Sequence, residues 1–301
     1  MQQKDWLIAL LVVTAWGFNF VVIHWGLEEL PPLLLGALRF LLVAIPAVFF
    51  IRPPKLPLRW LLAYGFTISF LQFALLFSAM QLGMPAGLAS LVLQAQSIFT
   101  LLFALVFLGE AFRMRQLIAL LIAAGGLWLL ASQSGDSNMT LIGFVLTITA
   151  AAAWGAGNII NRRIGQLGNV NLISLVVWAG LIPPLPFFAA SWFIEGPELI
   201  LNSLSAMTWQ SAAVLFYLAA IATLFGYGSW AWLLKHHPAS TIAPLTLLVP
   251  VFGLFSAWLF LDEQLNSVQF AGILLVMAGL LVNSFGDRLH PARVLKFISS
   301  R

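Results

Sequence analysis

Cysteine is absent from the 301 residues, which excludes disulfides, thiolate metal sites and a cysteine nucleophile. Charge is scarce: 8% of residues are charged, against about 25% in an ordinary soluble domain. That is too little to coat a globular surface. A phosphate loop and a zinc-protease motif are missing, and Gly226-Tyr227-Gly228-Ser229-Trp230 is not a nucleophile elbow. A hydrolase and a self-contained ATP-driven pump therefore find no support. His236 and His237 are adjacent but lack a third ligand, so no metal site and no cofactor are expected.

What the chain does have is apolar sequence, 61% of it. Ten runs of about 16–25 residues approach or exceed the roughly 20 needed to cross a bilayer. They lie near 6–27, 33–51, 60–81, 85–108, 115–132, 141–161, 171–193, 209–234, 240–261 and 267–285, and are numbered here spans 1 to 10. In lipid each segment must satisfy its own backbone, so all are expected to be helices of an all-α polytopic membrane protein. Span 1 ends in Glu28-Glu29-Leu30-Pro31-Pro32 with no small-x-small cleavage site, and reads as a retained span rather than a signal peptide.

The few charges are sorted by side. Lys4 precedes span 1, and the Arg52, Lys55 and Arg59 group, Arg113 and Arg115, Arg162 and Arg163, Lys235, and Arg288, Arg293, Lys296 and Arg301 fall in alternate gaps or the tail. The other gaps hold Glu28, Glu29, Asp136, Glu195, Glu198, Asp262 and Glu263. By the positive-inside rule both termini are expected in the cytoplasm. The pI near 9.9 then reflects orientation and contact with anionic membrane lipid, not nucleic-acid binding. The segments 133–140 and 194–208 read as turn-rich connectors. The basic tail 287–301, with Leu289, Leu295, Phe297 and Ile298, reads either as a short helix on the inner leaflet or as a frayed end.

The chain repeats itself. Ala15-Trp16-Gly17 recurs as Ala153-Trp154-Gly155, 138 residues later. At an offset of 153, Pro85, Ala86, Phe99, Glu110 and Gly126 meet Pro238, Ala239, Phe252, Glu263 and Gly279. Each match pairs span n with span n+5. Five is odd, so the halves, about 5–133 and 140–286, are expected to be inverted relative to each other. Such inverted five-helix repeats place a binding site between them near the bilayer midplane.

Five segments carry a family likeness: Trp16-Gly17-Phe18-Asn19-Phe20, Gly36-Ala37-Leu38-Arg39-Phe40, Gly83-Met84-Pro85-Ala86-Gly87-Leu88-Ala89, Leu108-Gly109-Glu110 and Leu261-Asp262-Glu263. They resemble the EamA family of the drug/metabolite transporter superfamily over about 5–286. Tyr64-Gly65-Phe66-Thr67-Ile68-Ser69, Leu91-Val92-Leu93-Gln94-Ala95-Gln96 and residues 243–250 are similar to its O-acetylserine/cysteine exporter branch. The resemblance implies a cavity lined by spans 1–4 and 6–9, with spans 5 and 10 peripheral. It also implies export of small amino-acid-like metabolites from the bacterial inner membrane, by a monomer or homodimer.

Arg39 is the one charged residue well inside a span, where Arg costs roughly 2.5–3.5 kcal/mol on insertion scales. It lies about 12 Å along span 2, at a depth similar to Asn19 in span 1. Two readings fit: it faces the cavity and holds a substrate carboxylate with Asn19 beside it, or it snorkels to Glu28 or Glu29 or pegs backbone carbonyls. Gln72, Gln94 and Gln96 either bind a zwitterion or bond helix to helix. Trp154 and Asn158 share a face of span 6, and Tyr64 and Tyr227 offer rings in spans 3 and 8, for an ammonium or for packing. Pro244 and Pro250 are expected to kink span 9 against a straighter span 4, as a gate or a fixed bend, and Pro183, Pro184 and Pro186 to break span 7. His24, four residues before Glu28, reads as a proton carrier or an interfacial histidine. No acid stands in mid-span, which favours transport down the substrate gradient over obligate proton exchange.

The expected function is therefore a secondary exporter of O-acetylserine- or cysteine-like metabolites. A broader exporter of neutral or aromatic amino acids or drugs is the nearest alternative, and a receptor or intramembrane enzyme the distant one.

Overall fold

The computed structural model describes residues 1–111, 114–134, 139–168 and 170–285, without the side chains of 239 and 240. Arg113, Asp136 and the basic tail of the charge pattern lie outside these residues. Among them every regular element is helical. Nine helices among the described residues are long and apolar enough to cross a bilayer: Gln3–Glu29, Leu58–Gln81, Ala86–Leu108, Met114–Ala131, Leu141–Gln166, Leu172–Glu195, Trp209–His236, Ala243–Leu261 and Ser267–Phe285. The tenth, span 2, is Pro32–Val48, about 26 Å long by helical rise. It stops short of the expected residue 51. Pro46 has already removed one backbone donor near its end, and Pro53 and Pro54 follow, so the chain turns out at 49–51.

The connector 194–208 is more ordered than expected. Gly196 takes φ +88° and turns the chain, and Pro197 then starts a short helix, Pro197–Ser205. Just before it, the Glu195 carboxylate reaches the start of span 2 and accepts from the Leu33 and Leu34 N–H groups, at 2.6 and 3.2 Å. A carboxylate there satisfies two free donors and meets the positive end of the helix. Glu195→Ala is expected to destabilise the protein by about 1–3 kcal/mol, read as a lower melting temperature in detergent.

The breaks in the helices are shared between the repeats. Span 9 carries a 3₁₀ segment at Ala243–Leu247, set off by Pro244. Span 4 is not the straight partner expected of it: it has its own 3₁₀ turn at Leu93–Ala95. No proline is needed there, because the Ser97 and Thr100 hydroxyls donate back to the Gln94 and Gln96 carbonyls at 3.0 and 2.6 Å, a bond that bends helices. Span 7 opens at residues 180–183 and restarts at Pro184. Spans 3 and 8 each contain a π segment, Gly65–Leu71 and Tyr217–Phe225. In each a threonine donates to a carbonyl behind it, Thr67 to Ala63 at 2.7 Å and Thr223 to Leu218 at 2.8 Å.

The halves interlock at matched glycines. Span 1 lies on span 9 at Gly17, where a methyl group would sit 2.5 Å from Phe252 Cβ. Span 6 lies on span 4 at Gly155, where it would sit 2.7 Å from Phe99 Cβ. Gly17 and Gly155 are the 138-residue pair, and Phe99 and Phe252 the 153-residue pair. Spans 5 and 10 pack backbone to backbone at Gly126, Gly272 and Gly279.

Candidate functional site

A cavity of about 140 Å³ lies at mid-depth between the halves, with walls from spans 1, 2, 3, 4, 6, 8 and 9. Asn19, Arg39, Gln72, Gln94, Gln96, Trp154 and Tyr227 all line it. Their chain neighbours are mostly Phe, Leu, Ala and Gly, so the polar groups stand out on this one surface.

Arg39 is only 3% exposed. Its Nη2 donates to Thr223 Oγ1 at 3.1 Å, and its guanidinium carbon stands 4.2 Å from the centroid of the Phe73 ring. Nε and Nη1 are buried without a hydrogen-bond partner among the described residues, and so is Asn19 Oδ1. Glu28 and Glu29, the outward partners considered for Arg39, are engaged elsewhere. Glu29 accepts from the Thr208 and Ser211 hydroxyls. Glu28 stands 3.8 Å from His24, the two side chains about half exposed. Unspent guanidinium donors in a mid-membrane cavity are costly unless an anion meets them.

Two candidates stand behind the wall. Tyr64 lines a small void on the far side of Arg39, with Ser69, Thr223 and Tyr227. Asn158 donates through Nδ2 to Gln96 Oε1 at 2.6 Å and to Thr100 Oγ1 at 3.0 Å, so it fixes the rotamer of a cavity-lining amide. Gln94 Nε2 reaches the Thr246 carbonyl at 3.4 Å across the two 3₁₀ breaks. Pro244 lies inside span 9's break, and Pro250 is buried just past it.

Several contributors carried no clear sequence signal. Thr223 is placed by a π segment whose register no periodicity reveals. Phe73 and Ser90 sit in runs that read as plain packing. Trp16 was visible beside Asn19; its indole N–H donates to the Ala222 carbonyl at 2.9 Å, and its ring packs on Tyr227 and Trp230 at 5.4 and 5.3 Å.

The cavity is closed on the acid-rich side. There the first turns of span 4, Ala86–Val92, pack on span 9, while the other half of span 4, Gln96–Leu108, packs on span 6. Phe18, Trp25, Tyr217 and Phe260 meet edge to face at 5.3 to 6.1 Å across spans 1, 8 and 9. Glu263, in the loop between spans 9 and 10, closes onto span 4; burial holds its carboxyl above the usual range, opposed by the Gly87 and Ala86 N–H groups and by His24. A larger pocket of about 440 Å³ opens beyond this seal beside Glu28, Glu29 and Glu195. Glu29 and Glu195 are spent on helix starts and hydroxyls, so the smaller central cavity is the candidate site. On the basic side His237 meets Asp5 at 3.1 Å and His236 bonds the Trp232 carbonyl. Among the described residues no three metal-ligating side chains cluster.

A family profile described as the EamA-like transporter family matches residues 4–132 and, separately, 141–285. A protein of Escherichia coli (strain K12) named "Probable amino-acid metabolite efflux pump" is 48% identical, covering 97% of this chain and 98% of its own. A Salmonella typhimurium protein of the same name is 49% identical over 98% and 99%. A solved crystal structure matches with a TM-score of 0.63 at 18% identity over 97% of this chain and 99% of that one, and shows the shared fold.

Proposed function

Because the chain belongs to the EamA-like transporter family, a multi-pass membrane transporter and not an enzyme, we propose that its central cavity exports small amino-acid-like metabolites, O-acetylserine and cysteine first among them. One observation carries this reading. Arg39 lines the cavity, its Nε and Nη1 are buried without a partner among the described residues, and the rest of the lining is uncharged: amides, hydroxyls, aliphatic side chains and rings. A single fixed cation suits one carboxylate and suits a doubly charged phosphate poorly. Asn19, Gln72, Gln94 and Gln96 supply neutral hydrogen bonds around it, and the faces of Trp16, Trp154 and Tyr227 suit an ammonium group. The names of the two relatives near 50% identity support export of amino-acid metabolites.

The sorted charges support an inner-membrane protein with both termini in the cytoplasm. In that orientation the conformation described is sealed from outside, and the halves rock about the cavity to expose it to one face at a time.

The test is a competition panel in proteoliposomes, with and without a pH gradient. Flux of labelled O-acetylserine, inhibited by cysteine and indifferent to the pH gradient, supports the reading. Flux inhibited equally by aromatic amino acids favours the broader exporter, which the aromatic lining also fits. No amino-acid flux at all rejects both. Within the same assay Asn158→Ala frees Gln96 and is expected to weaken apparent affinity about fivefold, near 1 kcal/mol, with the fold intact.

A further inference from the structure

Spans 4 and 9 end alike. Each closes on a residue in the left-handed region, Gly109 at φ +66° and Asp262 at φ +53°. In each, the next glutamate donates its backbone N–H six residues back, Glu110 to Ala104 at 3.4 Å and Glu263 to Ala257 at 3.3 Å. All three pairs are separated by the repeat offset of 153. Asp262 is the one described non-glycine residue with positive φ, so the second repeat keeps this turn even where the backbone resists it.

The two glutamate side chains then do different things. Glu263 reaches the start of span 4 and accepts from the Ala86 and Gly87 N–H groups at 2.6 and 2.9 Å. The absence of a side chain at Gly87 lets it approach: a Cβ there would lie 3.0 Å from Oε2. This contact joins spans 4 and 9 on the acid-rich side. The repeat mates of Ala86 and Gly87 are Ala239 and Ser240, at the start of span 9 on the opposite side. Glu110 lies on that side too, but both its oxygens are held by Arg162, at 2.6 and 3.1 Å, in a half-exposed pair.

We propose that Glu263 and Glu110 are alternating carboxylate latches, each holding spans 4 and 9 together at its own face in one of the two transport states. In the conformation described, Glu263 is latched and Glu110 is parked on Arg162. When the halves rock, Glu263 leaves the Ala86 and Gly87 amides. Glu110 leaves Arg162 and takes the amides of residues 239 and 240. The inversion relates the two contacts, with Ser240 standing where the first repeat has Gly87, and only one can form at a time because closing one end of the pair spreads the other. The proposal rests on the alternating-access reading, but its test reads gate position without a substrate. A wrong substrate assignment and a wrong latch are therefore distinguishable.

The cysteine-free chain makes the test direct. Ser90 is 1% exposed, its hydroxyl bonded to the Gly87 carbonyl and set against Gly253 inside the acid-side seal. Ser90→Cys gives a single reporter for a membrane-impermeant maleimide presented to the acid-rich face. Glu263→Ala and Glu263→Gln are expected to raise the labelling rate about fivefold or more, a modest population shift. Glu110→Ala is expected to lower it, because the state that exposes Ser90 loses its latch. Arg162→Gln, which frees Glu110, is expected to raise it. Each variant is checked for a single symmetric peak in size-exclusion chromatography, and Gln at 263 serves where Ala does not fold. Unchanged labelling in both Glu263 variants, or a rise with Glu110→Ala, overturns the proposal.

Discussion

Arg39→Gln is expected to abolish transport and to weaken substrate binding about 100-fold, near 3 kcal/mol, in a protein that still folds. The size follows from the setting. The guanidinium is buried beside the central cavity, and among the described residues only its Nη2 has a hydrogen-bond partner, Thr223. A carboxylate docked on the fork that the remaining Nη2 hydrogen makes with Nε or with Nη1 forms a two-pronged, charge-assisted contact shielded from water, the strongest kind of hydrogen bond available here. Glutamine keeps some length and polarity but neither the charge nor the fork. Lysine keeps the charge and loses the fork, so Arg39→Lys is expected to fall between. Removing a buried charge also relieves its desolvation cost, so the folded protein should be no less stable than wild type. Titration calorimetry with O-acetylserine, beside a melting curve, separates the two effects. Unchanged affinity in Arg39→Gln would make Arg39 a structural peg.

Gly17→Val and Gly155→Val are expected to be the most damaging substitutions for the fold, each costing about 3 kcal/mol or more. A Cβ at Gly17 would stand 2.5 Å from Phe252 Cβ, 2.8 Å from the Val249 carbonyl oxygen and 2.9 Å from the Gly253 nitrogen. One at Gly155 would stand 2.7 Å from Phe99 Cβ and 3.0 Å from the Thr100 nitrogen. Most of these neighbours are backbone, which cannot swing away, so spans 1 and 9, or 6 and 4, must part. Gly125→Ala is the control: nothing lies within 4 Å of its added carbon, and helix propensity favours it. The readout is the melting temperature in detergent, with both valine variants well below wild type and Gly125→Ala at or slightly above it.

The gross architecture was legible because lipid imposes simple demands. Ten apolar runs needed ten helices, and the Ala15-Trp16-Gly17 and Ala153-Trp154-Gly155 pair disclosed the repeat. Asn19, Arg39 and the glutamines stood out because polar groups are expensive in a span, and they do converge on one cavity. Local backbone was less readable. The 3₁₀ turn in span 4 arises from Ser97 and Thr100 bonding back along their own helix, which no hydrophobic period records. The π segment that places Thr223 against Arg39 likewise comes with a hydroxyl bonding back along its own helix, Thr223 to Leu218. Helical spacing paired Asn158 with Trp154, and Tyr64 was expected to offer a ring from span 3. Yet Tyr64 sits on the void behind Arg39, and Asn158 is occupied by Gln96 and Thr100, a distinction that depends on side-chain contacts between helices. The helix at Pro197–Ser205 was hidden by its polar, turn-prone composition.

The most direct test of a central cavity built to hold one carboxylate is counterflow in proteoliposomes. Vesicles are preloaded with unlabelled O-acetylserine, and uptake of labelled L-cysteine is compared with that of its carboxamide. The account expects accelerated cysteine uptake through the wild-type protein, little uptake of the carboxamide, and none of either through Arg39→Gln. Equal movement of acid and carboxamide, or counterflow that survives Arg39→Gln, would contradict it.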